Sequence, residues 1–126
     1  MKIQIAAIAD GYIAFNSPLG NGVGRCQETG IEVGGSYGVE FDFDVVLSLA
    51  EHFISKGHPD PSISWNGQHN IICGRVESID QDEDVCLRLS PDCIIVFSQQ
   101  VGMLEVGDIV TLRIPRELFR VSVIGK

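Results

Sequence analysis

Tyr37-Gly-Val-Glu-Phe-Asp-Phe-Asp44 is the stretch whose reading decides the fold class. Val39, Phe41 and Phe43 alternate with Glu40, Asp42 and Asp44. Successive strand side chains point to opposite faces, so a period of two puts the apolar set on a buried face and the carboxylates toward solvent. A helix would scatter both sets around its circumference. The segment therefore predicts a β-strand with one wet face.

Working outward toward the C-terminus, Val46, Leu49, Ala50, Phe53 and Ile54 recur at helical spacing. Asp44 is placed to cap this segment at its start, and Lys56 and Gly57 to close it. These features predict one α-helix near residues 45–56. Toward the N-terminus, residues 2–9 read as a strand, Asp10-Gly11 as a two-residue hairpin turn, and Tyr12–Phe15 as the returning strand. Residues 16–25 are rich in turn formers, with Gly20, Gly22 and Gly24 in alternation. No helix pattern follows these glycines, and no G-K-[ST] is present. A phosphate-binding loop is therefore not expected, and a flexible connection is.

From residue 70 the chain reads as consecutive strands at 70–79, 84–89, 93–97, 109–114 and 118–124, separated by turn signals. The expected architecture is mainly β, a barrel or sandwich, in one domain covering residues 1–126. The element order resembles the OB-fold, a small Greek-key barrel with one helix between its third and fourth strands. That resemblance is architectural and carries no specific motif.

The chain has 126 residues and a hydrophobic content of 44%, with 17 acidic against 9 basic residues and a formal charge of −8. Nucleic-acid binding draws most of its affinity from Lys and Arg neutralising phosphates, and this balance opposes it. Electrostatic attraction of a basic partner is favoured instead. The short apolar start, Lys2–Ala9, is broken by Gln4 and ends in Asp10-Gly11, so export is not expected and a cytoplasmic setting is. Cys26, Cys73, Cys86 and Cys93 contain no C-x-x-C pair and are expected to be reduced, largely as core residues. His52, His58 and His69 are spaced by six and eleven residues, which does not suit a zinc site. No metal and no cofactor is expected.

Asp80-Gln-Asp-Glu-Asp84 holds four acids in five residues between two strand patterns. Its first positions imitate an EF-hand loop, but the invariant Gly, the distal Glu and the flanking helices are missing. It reads instead as a charged hairpin tip whose exposed acids contribute little to stability. Asp80, Asp82, Glu83 and Asp84, with Glu40, Asp42 and Asp44 on the first strand, are the candidate contacts for a basic protein partner. Arg75 and Arg88 flank the tip and could pair with acids such as Glu77 across strands. Trp65, Arg113, Arg116 and Arg120 are the candidates for an alternative, OB-like nucleic-acid-binding reading. No G-x-S-x-G, S-x-x-K or H-E-x-x-H motif occurs. The favoured expectation is a non-catalytic acidic binding protein, of inhibitor or immunity type. A self-assembling structural subunit is the third class considered.

Overall fold

In a computed structural model the strand that opens the reading is longer than its alternating pattern. It is β4, Ser36–Leu47, and it buries Val39, Phe41, Phe43 and Leu47 while turning Glu40, Asp42 and Asp44 outward. The structure describes residues 1–57 and 60–125, so His58 and Lys126 lie outside it. The remaining elements are β1 (Lys2–Ala9), β2 (Tyr12–Ser17), β3 (Gly20–Arg25), α1 (Leu49–His52), β5 (Phe53–Lys56), β6 (Ser62–Trp65), β7 (His69–Ile79), β8 (Asp84–Ser90), β9 (Cys93–Gln99), β10 (Ile109–Pro115) and β11 (Phe119–Gly125).

Hydrogen-bonded neighbours run β1–β2–β3–β6–β7–β8–β9–β4 and back to β1, closing an eight-strand barrel. Strand β11 pairs with both β3 and β4, while β10 and β5 extend the sheet from β7. Most pairings are antiparallel, but β4–β9, β3–β6 and β3–β11 are parallel. Lys2 and Gly125 both stand opposite Gly38 on β4. The barrel expectation is thus met, by a larger closed sheet than the five-stranded OB plan.

Phenylalanine rings fill the interior. Phe41 lies 5.4 Å from Phe15 and 5.1 Å from Phe119, and Phe43 lies 5.2 Å from Phe97, centroid to centroid. Stacked and edge-on pairs of this kind each add about 0.5–1.5 kcal/mol beyond the burial of the rings. The inward residues of β3 are Gly22 and Gly24, and a Cβ there would stand 2.7 Å from the Phe15 ring and from the Phe119 carbonyl oxygen respectively. At Gly20, φ is +126°, and a Cβ would collide with the Ile63 carbonyl. The alternating glycines are therefore not a flexible connection. They are the strand that aromatic rings crowd from inside and that β6 approaches from the side.

The helix is present but contracted to the single turn Leu49–His52. Its cap is Ser48, not Asp44: the Ser48 hydroxyl accepts from the Glu51 amide at 3.3 Å. Val46, Leu49 and Ile54 are 56%, 53% and 43% exposed, so the helical stripe does not face the core. Two strand pairings win over it. Val46 and Leu47 register with Ser98 and Gln99 of β9, and Phe53, Ser55 and Lys56 with β10. The β-branched pair Val45-Val46 suits that outcome.

One buried polar side chain holds three strands together. The Asn70 amide on β7 accepts from the Val23 amide at 2.9 Å, and donates to the Val23 carbonyl at 2.8 Å and the Ile114 carbonyl at 3.3 Å. It takes the place of a peptide unit between β3 and β10, and Asn70 has no solvent exposure.

Candidate functional site

The acidic tip is the β7–β8 hairpin, and it is a built turn. The Asp80 carboxylate accepts from the amides of Asp82 at 2.8 Å and Asp84 at 3.0 Å. Glu83 adopts φ +62°, a left-handed conformation unusual for a side chain of its size. Its carboxylate turns toward the 99–104 loop, accepting from Gln99 Nε2 at 3.1 Å and the Gly102 amide at 3.4 Å. Gln99 is itself buried and exchanges two hydrogen bonds with the Leu104 backbone. Asp84 accepts from the Ser98 hydroxyl at 2.7 Å. Three of the four acids thus anchor the end of the barrel, and only Asp82 is without a side-chain hydrogen bond among the described residues. These three carboxylates accept from neighbouring groups that the sequence does not place beside them.

The second group of acids meets one of the arginines proposed for the rival reading. Arg120 on β11 registers with Asp42 on β4 and binds its carboxylate through two contacts, at 2.8 and 2.7 Å. That pairing raises the already high pKa of the guanidinium. Asp44 lies 3.8 Å from Arg25 and 4.0 Å from Arg120. Arg116 stacks on the Tyr12 ring at 4.2 Å, and Arg113 donates to the Glu51 carbonyl at 3.3 Å. Trp65 is at the end of β6, opposite Asn70. Of the C-terminal arginines only Arg120 meets the acidic strand face, where with Arg25 it offsets Asp42 and Asp44. Near the tip, Arg88 forms a two-contact pair with Glu77, at 3.2 and 2.9 Å, as cross-strand pairing predicts. Arg75 is exposed and registers opposite Arg88.

Glu40 is left over. It is exposed on β4, one alternation from Asp42, and makes no ion pair among the described residues. Ser122 of β11 stands opposite it, and nearby Ile94 and Val96 of β9 and Ile124 of β11 also face outward, 38%, 40% and 63% exposed. These apolar side chains border a cleft of about 270 Å³ across β4. The sequence signal was the unbroken apolar run Cys93–Phe97: a strand without alternation has both faces apolar, and one face of β9 meets water.

Four thiols are unpaired, and three of them (Cys26, Cys73 and Cys93) are buried. Burial pushes the Cys93 thiol up to about 11. His52 is buried, its Nδ1 accepts from the Ser48 amide at 3.0 Å, and desolvation holds its pKa below the ordinary imidazole value. Among the described residues no group of three or more His, Cys, Asp or Glu is arranged to hold a metal ion, and no helix is long and apolar enough to cross a membrane.

Comparison with protein-family models, with curated proteins and with solved structures gives no match to this chain. The site must be read on its own chemistry.

Proposed function

We propose that the protein is a non-catalytic acidic binding protein that recognises a basic protein partner, of inhibitor or immunity type, in a reducing, cytoplasmic setting. The observation that carries this reading is the distribution of charge that folding leaves behind. Arg25, Lys56, Arg88 and Arg120, four of the nine bases, are consumed in ion pairs with acids of the same chain. The tip Asp80–Asp84 has no such partner among the described residues, and its carboxylates are held in a fixed turn. A preorganised negative surface speeds encounter with a positive one and loses little entropy on binding.

The nucleic-acid reading has less support, because Arg120 is already bound to Asp42 and Arg116 to Tyr12. The test is a titration with hexalysine, followed by calorimetry at low and at high salt. Binding at low salt that weakens steeply with added salt is expected, as is a roughly three- to tenfold loss in Asp82→Lys, whose side chain does not hold the turn. No binding of the wild-type protein at low salt would refute the reading.

A further inference from the structure

We propose that residues 48–57 form a strap that lies closed along the outer edge of β10 at neutral pH and opens progressively in mild acid, with His52 as its latch. The switch does not depend on the basic-partner reading.

The strap consists of α1 and β5, with Ser48 before them and Gly57 after. β5 ends the strand order of the sheet and pairs with β10. Its attachment is shallow. Three register positions join it to β10, the Gly57 amide donates to the Ile109 carbonyl at 2.8 Å, and Lys56 reaches Asp108 at 3.1 Å. Edge hydrogen bonds and exposed ion pairs of this kind open locally at small cost. Phe53 is half-buried, and of residues 48–57 only His52 is buried. The one side chain that sinks this segment into the protein is therefore a titratable one.

Its hydrogen bonding decides which proton matters. The Ser48 amide donates to His52 Nδ1 at 3.0 Å, and the His52 amide donates to the Ser48 carbonyl at 3.1 Å. A neutral imidazole has one acceptor and one donor nitrogen. With Nδ1 occupied as acceptor, the proton sits on Nε2, which faces the Glu51 carboxylate at 3.9 Å. Acid places the second proton on Nδ1, against the Ser48 N–H, so that two donors oppose each other. The latch bond is lost and a buried cation is left, which water stabilises only if the segment opens.

The surroundings do little to hold that cation. α1 packs on β5 and β10. β10 offers Arg113, which donates to the Glu51 carbonyl and repels an imidazolium. The charged residue of β5 is Lys56, already bound to Asp108. Glu51 alone attracts it, through a side chain that is 77% exposed and screened by water. Opening bares the β10 edge from Ile109 to Leu112.

The test is amide hydrogen exchange of the full chain labelled with ¹⁵N, followed by NMR between about pH 7.5 and about pH 5.5 and corrected for intrinsic rates. The Ser48, His52 and Gly57 amides should be less protected throughout than the Val23 amide, which Asn70 holds. Below about pH 6.5 their protection should fall by up to about tenfold per pH unit, because the open strap takes up a proton that the closed one excludes. The imidazole ¹⁵N resonances should report the Nε2–H tautomer at neutral pH. His52→Asn, whose Oδ1 can accept from the Ser48 amide but takes no proton, should remove the pH dependence, and its dispersed spectrum establishes that it is folded. Protection of the three amides that is unchanged in acid would overturn the switch, as would a fall that persists in His52→Asn. Protection equal to that of Val23 at every pH would overturn the strap as a separate unit. An Nδ1–H tautomer at neutral pH would overturn the latch.

Discussion

Replacing Glu83 by Ala should cost far more stability than replacing Asp82 by Asn, although the two are adjacent acids on the same hairpin tip. Asp82 uses only its amide in the turn, so Asp82→Asn should stay within about 0.5 kcal/mol of the wild type. Glu83 differs because its carboxylate receives Gln99 Nε2 and the Gly102 amide. A hydrogen bond to a charged group is worth about 1.5–3 kcal/mol when buried. The tip is half open to water and the Gly102 contact is long, so about 1–2 kcal/mol is the reasoned loss for Glu83→Ala. Part of it falls on Gln99, whose buried amide is left with the Leu104 carbonyl at 3.3 Å. Glu83→Gly should lose less, because glycine relieves about 1 kcal/mol of left-handed backbone strain at φ +62°. Urea denaturation of the three variants gives the midpoints. A chain of this size should melt about 4 °C lower per kcal/mol. Equal midpoints for Asp82→Asn and Glu83→Ala would refute the assignment of Glu83 as an anchor of the 99–104 loop.

Three further outcomes follow from buried groups. Asn70→Leu leaves the Val23 amide, the Val23 carbonyl and the Ile114 carbonyl without their side-chain partner, and should cost about 3 kcal/mol or more by urea midpoint. His52 has a folded pKa below its unfolded one, so the folded state binds fewer protons. Its contribution is complete above the unfolded value near 6.5 and is lost as pH falls from there through the folded pKa. His52→Gln should flatten urea midpoints measured across that window. Finally, a thiol reagent at mildly alkaline pH should modify half-buried Cys86 before Cys93, whose thiol is buried and pushed up to about 11. Mass mapping of the first adduct checks the order.

Much of the barrel was legible because its strands carry local signals. The Val39–Phe43 alternation, the Asp10-Gly11 turn with both residues at positive φ, and the strands from residue 70 onward all follow from period and turn chemistry. What was not legible depends on partners far away in sequence. Helical spacing at 46–54 was outvoted by β9 and β10, which lie some 50 residues downstream. Gly20, Gly22 and Gly24 look like a loop until Ile63, Phe15 and Phe119 are seen against them. The candidate site divides in the same way. The charge of the tip is plain in the sequence, but the engagement of Glu83 and Asp84 depends on Gln99 and Ser98. The neutralisation of Asp42 by Arg120 spans 78 residues, and composition alone counts them as opposing candidates for different functions.

The register of Lys2 and Gly125 against the same residue, Gly38, has a topological meaning. The first and last strands flank β4 on its two edges at this residue, so their ends stand about 10 Å apart and a short linker passing over one strand could join them. Strand order in such a molecule depends on where the ring is cut rather than on how the sheet is assembled. A circularly permuted chain, opened between Asp10 and Gly11 at the exposed hairpin turn, would keep every strand pairing intact.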